Sequence, residues 1–553
     1  MKKLLFILSV ITLSFNTSAQ NNYSQKIDSI FSQFNKPNTP GCAVGVIKDG
    51  QLIFVKGYGV ANLEYNIPIT PNTIFRICST SKQFTAASIL RLAEQNKLHL
   101  NDKLSKFFPA FPEYANSITI QHLINHTSGL KDYLDLVHLK GYSDDYYYED
   151  KEVEKWLINQ KTLNFTPGDQ FQYSNSGYWL LAQIIEKVAK MNLADFAQQQ
   201  FFEPLGMTDT HFHNNNKRIV KNRAYGYSPN NEEGYETNTT QLNIIGDGGL
   251  FTTINDLKKW DDAFYHNMVM NTAFKELMIK QGVLNNGNKI SYASGLSVSE
   301  VNDIKIVSHA GSFVGYNAEL IRVPKERFSV IVLSNRADVN PTVLSVRIMR
   351  IFLKDTFSSH KKKKKLKNYP SIQLPSKQLS NYAGNYWNKK EEYTIKISVK
   401  NDTLRFQQDD GNIKSLLPIA RNKFIEKGKK RSAIYEFNKI ENNKPELNIF
   451  SKNDEHIQCF FYEPKNYKTK ELKPLEGRYY SQELNVNYTI KLENKELLLY
   501  IDGDKKSALK PIMNNLFKND DFGFFYFDET DKKVISGFKL NFLSAKNIAF
   551  KKL

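Results

Sequence analysis

A serine and a lysine three residues apart, Ser79 and Lys82, open an apolar stretch that the sequence pattern predicts to be a helix. This spacing places both side chains on one helical face, so the lysine amine can reach the serine hydroxyl. A helix N-terminus also offers exposed N–H groups and a dipole that favours developing negative charge. The pair could therefore form an activated nucleophile for acyl transfer. The alternative is a helix-capping serine followed by a solvated lysine.

A second candidate motif is Tyr173-Ser174-Asn175, which follows a Pro-Gly-Asp turn. A nearby cation favours the phenolate, so Tyr173 beside a lysine could act as a general base and then as a general acid. Asn175 can donate to and accept from a substrate amide. The alternative is a buried tyrosine with a polar neighbour.

The third motif, His309-Ala310-Gly311-Ser312, follows an apolar stretch that predicts a strand at the edge of a cleft. Gly311 would let a substrate backbone approach closely. The N–H of Ser312 could join the N–H of Ser79 in a two-donor oxyanion hole.

Alternating strand and helix signals surround these motifs. An Asp49-Gly50 turn between two apolar runs predicts a hairpin, because this dipeptide favours tight turns. The pattern predicts further elements at 23–36, 80–95, 178–190, 319–323, 328–333 and 342–352, with another helix starting near Asn255. Strands at both ends with helices between them indicate an α/β (α+β) domain, an antiparallel sheet with flanking helices and a helical region, over residues 20–358.

A run of lysines at 361–365 interrupts this pattern, and residues 359–370 are interpreted as a basic linker. A polybasic patch for anionic lipid or an acidic polymer is the alternative. Beyond the linker, strand patterns dominate and an internal repeat relates Gly384-Asn385-Tyr386 to Gly477-Arg478-Tyr479. The repeat predicts two small antiparallel β-barrels of about eight short strands each, at 371–466 and 467–553.

The N-terminus has the pattern of an export signal. Lys2 and Lys3 precede an apolar stretch at 4–15, and Thr17 and Ala19 are small residues at a signal-peptidase spacing. Residues 1–19 are therefore interpreted as a signal peptide and the protein as exported, periplasmic or secreted, with no transmembrane segment after cleavage. An uncleaved anchor is the alternative.

Charge and cysteine content narrow the function class. The formal net charge is +18 at pH 7, yet the sequence holds no nucleic-acid-binding motif, so nucleic acid is not expected as a partner. The three cysteines, Cys42, Cys78 and Cys459, are interpreted as small buried residues, while a Cys42–Cys78 disulfide stays open.

The three motifs in this order resemble the class C β-lactamase and serine DD-peptidase family, which includes D-aminopeptidases and β-lactamase-like esterases. Residues 75–86, 122–130, 204–207 and 246–250 extend the resemblance over about residues 25–355. The resemblance implies a β-lactamase/transpeptidase-like fold with Ser79 as nucleophile. Lys82 and Tyr173 would then share proton transfer. The two barrels resemble the lipocalin-like extensions of D-aminopeptidase-type relatives.

The resemblance further implies that Asn175, His309, Gly311 and Ser312 contact the substrate. β-Lactamase members have Lys-Thr-Gly at the third motif, whereas this chain has His309-Ala310-Gly311. Ala310 lacks the hydroxyl that helps relatives to bind a substrate carboxylate, which disfavours β-lactamase and carboxypeptidase activity. A protonated His309 would compensate and would raise activity on acidic substrates below about pH 6.5.

These observations give two hypotheses. The first is an acyl-serine hydrolase for D-amino-acid peptides, amides or esters, with a small-molecule or peptide substrate of possible cell-wall origin. The second is a non-catalytic or penicillin-sensing cell-envelope binding protein. The oligomeric state stays open.

No metal or cofactor is expected. His122 and His126 are four residues apart on a predicted helix, but they lack the glutamate of a zinc motif. His211 and His213 are expected to be exposed.

Overall fold

The computed structural model describes residues 23–143, 146–232, 234–359, 369–409, 411–428, 433–439, 445–451 and 456–553. The chain divides into two compact units, Met1–Lys361 and Lys362–Leu553. The signal-peptide interpretation and most of the linker interpretation concern residues outside the described ranges. No described helix is long and apolar enough to span a membrane.

An antiparallel six-stranded sheet is the framework of the first unit, in the order β10-β11-β12-β13-β1-β2. The central strands β12 and β13 are buried along their whole length, because helices cover both faces of the sheet. The strands of this unit are β1 (Cys42–Lys48), β2 (Gln51–Tyr58), β3 (Val60–Asn62), β4 (Ile67–Pro68), β5 (Phe75–Arg76), β6 (His211–Phe212), β7 (Tyr227–Asn230), β8 (Gly234–Thr237), β9 (Leu250–Thr252), β10 (Ser297–Val301), β11 (Ile304–Phe313), β12 (Tyr316–Val323) and β13 (Phe328–Ser334).

The predicted hairpin is confirmed as β1 and β2, which pair in antiparallel register. Its turn residues Asp49 and Gly50 have φ values of 51° and 79°, the left-handed conformation that Asp-Gly turns supply at little cost.

The helices of the first unit lie on the two faces of the sheet and in a region between strands. They are α1 (23–31), α2 (Lys82–Glu94), α3 (Leu104–Phe107), α4 (Ile120–Ile124), α5 (Tyr133–Leu139), α6 (Asp150–Ile158), α7 (Asn175–Ala189), α8 (Leu193–Ala197), α9 (Ile254–Ala263), α10 (Thr272–Ile279) and α11 (Pro341–Ser359). The strand and helix predictions at 178–190, 319–323, 328–333 and 342–352 are confirmed with small shifts of their ends.

The two faces of β11 have different neighbours, which decides where the third motif points. Ile304 and Ile306 belong to the apolar cluster that α1 and α11 cover. Since strand side chains alternate, Ala310 and Ser312 share this face, whereas His309 and Gly311 lie on the other. Gly311 there packs against the turn that holds Ser79.

The second unit contains two closed eight-stranded antiparallel barrels, as the repeat predicts. The first barrel comprises β14 (Gly384–Asn388), β15 (Tyr393–Lys400), β16 (Thr403–Gln408), β17 (Lys414–Ala420), β18 (Lys423–Glu426), β19 (Ile434–Lys439), β20 (Pro445–Phe450) and β21 (His456–Tyr462), preceded by α12 (Ser376–Leu379). The second comprises β22 (Gly477–Ser481), β23 (Val486–Glu493), β24 (Glu496–Ile501), β25 (Asp504–Met513), β26 (Leu516–Asn519), β27 (Gly523–Glu529), β28 (Ile535–Phe542) and β29 (Ala545–Lys552), preceded by α13 (Thr469–Leu472). Each barrel encloses aromatic and aliphatic side chains that alternate along its strands, as Tyr386, Ile395 and Phe406 do in the first.

The cysteines are free and buried, so the Cys42–Cys78 disulfide that the sequence left open is absent. Burial raises the thiol pKa of Cys42 and Cys78 to about 12 and that of Cys459 to about 11. These groups therefore remain neutral thiols, which react poorly as nucleophiles.

Candidate active site

Ser79 lies in a short 3₁₀ turn, Cys78–Ser81, that leads directly into α2. The helix prediction from residue 80 is therefore slightly wrong, because the regular α-helix begins at Lys82. Cys78 has a φ of 50°, a conformation that costs a non-glycine residue energy and that often occurs at functional sites. Pairing of β5 with β9 holds the chain just before this turn.

Lys82 is completely buried and donates to Ser79 Oγ at 3.1 Å, as the three-residue spacing predicts. It also donates to Asn175 Oδ1 at 2.8 Å and to the Asp247 backbone oxygen at 2.5 Å. Its Nζ lies 4.8 Å from the Tyr173 ring centroid. These contacts fix the amine beside the serine hydroxyl without an ion pair to any described carboxylate.

Asn175 begins α7, and Ser174 caps this helix by accepting from the Gly177 N–H. The backbone N–H of Asn175 donates to Asp132, whose other carboxylate oxygen accepts from the Leu134 N–H at 3.0 Å. Burial raises the pKa of the Asp132 carboxyl to about 7. Because Lys82 Nζ donates to the Asn175 oxygen, the Asn175 amide nitrogen is available to a substrate carbonyl.

Tyr173 lines the same cleft as Ser79, and its hydroxyl is buried without a hydrogen-bond partner among the described residues. Its ring packs against His126 at a centroid distance of 4.3 Å, and His126 Nδ1 accepts from the Ser174 N–H. Burial and the Lys82 charge keep the His126 pKa well below its usual value, so this ring is a neutral support.

His309 faces the cleft and is held by two contacts. Its Nδ1 lies 2.6 Å from the Ala310 oxygen, and its Nε2 lies 2.8 Å from the Tyr292 hydroxyl. A carbonyl only accepts, so Nδ1 carries the proton and Nε2 accepts from Tyr292. Burial, together with the Lys82 charge, lowers the His309 pKa to about 3. The expectation that a protonated His309 attracts a carboxylate near pH 6.5 is therefore wrong.

The edge of β11 lies directly against the nucleophile turn. The Thr80 hydroxyl donates to the His309 backbone oxygen at 3.1 Å. A methyl group added at Gly311 would lie 2.2 Å from the Ile77 oxygen and 2.8 Å from the Ser79 nitrogen, so only glycine fits here. Ser312 and Ser79 line both cavities that meet at this point.

The cavities on the two sides of Ser79 differ in size and chemistry. The first, which we call the wide arm, has a volume of about 800 Å³ and is lined by Tyr173, His309, Ala310 and the segment 337–342. The second, the narrow arm, has a volume of about 70 Å³ and is lined by residues that include Asn175 and Asp247. A third cavity of about 280 Å³ shares Leu134, Leu242 and Phe313 with the narrow arm.

Two carboxyl groups border the wide arm, and no lysine or arginine of the described chain lines it. Asp338 lines it, and a two-pronged ion pair with Arg336 lowers the Asp338 pKa below its usual value. Glu319 lies buried behind the arm, opposite Ala310 in the β11–β12 pairing, and accepts from the Thr342 hydroxyl. Burial raises its pKa to about 7.

The remaining histidines differ from the sequence expectations. His122 caps α4 by accepting from the Thr119 N–H, whereas His126 lies beyond the end of α4 with a φ of 57°, so the two do not share a helical face. His211 is half-buried and His213 is buried, which corrects the expectation of exposure.

Sequence reasoning missed several residues that shape the site. Asp132 and Asp247 support Asn175 and Lys82, and Tyr292 orients His309. Asp247 could have been noticed because its Gly-rich stretch belongs to the family resemblance. Tyr292 carries no local signal, since its role depends only on a long-range contact.

Comparison with known proteins agrees with this geometry. The Beta-lactamase family model matches residues 27–348. Penicillin-binding protein 4* of Bacillus subtilis is 31% identical over 344 residues, which are 58% of this chain and 73% of that protein. A D-aminopeptidase of Gluconobacter oxydans is 28% identical over 54% of this chain and 56% of its own length.

Solved structures share the fold. The octameric penicillin-binding protein homologue from Pyrococcus abyssi has a TM-score of 0.53 and 24% identity, over 79% of this chain and 99% of that one. D-Amino acid amidase from Ochrobactrum anthropi SV3 has a TM-score of 0.51 and 20% identity, over 62% of this chain and 100% of that one.

Fold and comparisons together define an acyl-serine hydrolase with a β-lactamase/transpeptidase-like fold. The chain belongs to the β-lactamase family of penicillin-recognising proteins.

Proposed function

We propose that this protein is an exported hydrolase that uses Ser79 to form an acyl-enzyme with D-amino-acid amides, peptides with an N-terminal D-residue, or short esters. The hydrogen bond from Lys82 to Ser79 Oγ carries this proposal. The names of the relatives, a D-aminopeptidase and a D-amino acid amidase among them, support the substrate class. The charged and apolar N-terminal pattern supports export.

The contacts support a division of labour in catalysis. Ser79 Oγ attacks the substrate carbonyl while its proton passes to the nitrogen of Lys82, which takes part in this step as the neutral amine and lies within hydrogen-bond distance of Oγ. The Asn175 amide nitrogen donates a hydrogen bond to the carbonyl oxygen of the amide group next to the scissile bond in the substrate. The N–H groups of Ser79 and Ser312 stabilise the tetrahedral oxyanion.

Tyr173 supplies the proton that the leaving group needs. Its hydroxyl is buried beside Ser79 without a described partner, which is unfavourable unless a substrate atom occupies the contact. The leaving group therefore departs toward the wide arm, and the acyl part occupies the narrow arm. Water then releases the acyl group as the same residues return the proton to Ser79.

The charged groups at the wide arm support the proposal that the preferred leaving groups carry no carboxylate. Asp338 is ionised there, Glu319 lies behind Ala310, and no described cation lines the arm. A C-terminal D-alanine or the β-lactam carboxylate would meet the Asp338–Arg336 ion pair, whose charges are already matched, and would find no unpaired cation among the described residues that line the arm. An amide, an ester or a cationic leaving group meets no such penalty.

Labelling tests the nucleophile. Ser79→Ala should abolish covalent labelling by a fluorophosphonate or a fluorescent penicillin in intact-mass spectra, while the circular dichroism of the fold is retained. Ser81→Ala is the matched control, because Ser81 Oγ is buried and donates to the Cys78 oxygen. Labelling of Ser79→Ala at the wild-type level would refute the proposal. Binding of penicillin without any adduct or turnover would favour the penicillin-sensing alternative.

A further inference from the structure

A buried arginine borders the narrow arm next to the nucleophile. Arg76 ends β5, is 5% exposed, and lines the same 70 Å³ cavity as Ser79, Asn175 and Asp247. The proton-transfer roles described above do not use it.

The Arg76 guanidinium forms no hydrogen bond or ion pair with any residue that the structure describes, and its Nε is buried. It lies over two aromatic rings instead, 5.8 Å from the Phe251 centroid and 5.5 Å from that of Phe313. Arginine stays charged under all ordinary conditions, and a desolvated charge is costly until an opposite charge pairs with it. A ligand carboxylate would supply that pair with two parallel hydrogen bonds.

The charges around Arg76 favour an anion. Arg223 also lies over the Phe251 ring, at 5.0 Å, so two guanidinium groups share this region. Asp247 is the carboxylate whose charge is felt by Arg76, but the two residues form no ion pair. Instead, the Asp247 carboxylate accepts a hydrogen bond from the Tyr133 hydroxyl at 2.9 Å. The neighbouring His211 and His213 are neutral, because burial lowers their pKa values to about 4 and about 3. The region around Arg76 therefore contains two guanidinium cations, those of Arg76 and Arg223, and one carboxylate, that of Asp247.

We propose that Arg76 binds a carboxylate carried by the acyl part of the substrate, close to the scissile carbonyl. This inference rests on the proposed function, since the role of Tyr173 assigns the acyl part to the narrow arm. The chemical class is an acidic acyl donor, either an acidic D-residue or a half-ester of a short dicarboxylic acid. Asp247 in the same arm offers an acceptor for the α-ammonium of a D-residue. The enzyme thus selects a carboxylate on the acyl side and excludes one on the leaving-group side.

Matched substrates test this with the full-length protein. The p-nitroanilides of D-Glu and D-Gln differ only in charge, and p-nitrophenyl hydrogen glutarate and p-nitrophenyl valerate form the ester pair. We expect kcat/KM to favour the acidic member by at least about tenfold, the value of a charge-assisted hydrogen bond. A preference in the anilides alone identifies an acidic D-residue, and a preference in the esters alone identifies a simple dicarboxylate; either supports the site.

Two variants assign the preference to Arg76. Arg76→Gln should reduce the acidic-to-neutral ratio to about one, whereas Arg223→Gln, which removes a cation over the same ring that does not line the narrow arm, should lower the ratio much less. If Arg76→Gln does not fold, competitive inhibition of the wild type decides: the monoamide of glutarate, which keeps one carboxylate, should bind at least about tenfold more tightly than the neutral diamide. Equal rates for both pairs with equal inhibition, or an unchanged ratio in folded Arg76→Gln, would overturn the proposal. Turnover of D-Ala-p-nitroanilide that depends on Ser79 would then leave the proposed function intact, and its absence would remove both.

Discussion

Glu319 lies directly opposite Ala310 in the β11–β12 ladder, so both side chains share the face of the sheet that α11 covers. The Glu319 carboxyl is 1% exposed and accepts a hydrogen bond from Thr342, a residue that lines the wide arm. The third motif therefore combines an alanine without a hydroxyl at position 310 with a buried acid opposite it.

Substrates that carry a carboxylate on the leaving-group side of the scissile bond should be poor. We expect kcat/KM for nitrocefin and for a D-Ala-D-Ala peptide to lie below the values for D-Ala-p-nitroanilide and p-nitrophenyl acetate. At pH 8, where Glu319 is ionised, Ala310→Thr combined with Glu319→Gln should raise the values for the first two by about one to two orders of magnitude, because one charge-assisted hydrogen bond is gained and one repulsion removed. A wild type that prefers nitrocefin or the peptide, with no gain in the double variant, contradicts this interpretation of the third motif.

Glu319 should also make stability depend on pH. Burial raises its pKa from an ordinary 4.5 to about 7, so between these values the folded protein holds a proton that the unfolded chain has released. This contribution is complete below about pH 4.5 and is lost as pH rises through about 7. The span corresponds to about 3 kcal/mol in the free energy of unfolding.

The measurement is the difference in unfolding free energy between wild type and Glu319→Gln, from urea titrations at pH 5 and pH 8. The variant should gain relative to the wild type at the higher pH, since a glutamine stays neutral at both. Glu300→Gln, an equal charge change on an exposed side chain, is the control. A difference that does not vary with pH would show that Glu319 ionises normally.

The division of the chain into two compact units predicts a defined proteolytic product. Limited trypsin treatment should cut within the lysine run at 361–367 before other sites and leave a resistant fragment that contains both barrels. Mass spectrometry of the fragment locates its N-terminus. If cleavage in this run never precedes global unfolding, the domain boundary proposed from the sequence is wrong.

The sequence predicted the parts of the site that depend on short spacing. Ser79 and Lys82 meet because both belong to consecutive turns, and the Asp49-Gly50 hairpin forms because its two residues accept left-handed backbone angles. The internal repeat likewise predicted two barrels.

Features that depend on burial could not be predicted in this way. The pKa of His309 follows from its desolvation beside Lys82. The absence of a hydrogen-bond or ion-pair partner for Arg76 among the described residues follows from the arrangement of β5, β9 and β11. Neither has a signal in the residues next to it. The short 3₁₀ turn at Ser79 was also missed, because helix propensity does not distinguish it from a first α-helical turn.

Gly311 joins the third motif to the nucleophile, and this contact gives the sharpest structural test. Gly311→Ala would place a methyl group 2.2 Å from the Ile77 oxygen and 2.8 Å from the Ser79 nitrogen, both backbone atoms, so β11 or the Ser79 turn must move. Overpacking of this kind costs about 1–3 kcal/mol in stability, which a folded domain can tolerate. A displacement of about 1 Å between nucleophile and oxyanion donors lowers the rate by about 100-fold. We therefore expect kcat/KM for p-nitrophenyl acetate to fall by that factor in a folded Gly311→Ala variant.

Gly287→Ala is the control, because the added methyl group meets open space and only the φ of +83° at this position is unfavourable. This variant should lose some stability and keep the wild-type rate. Wild-type rates in folded Gly311→Ala would show that Ser312 and Ser79 do not form one oxyanion site.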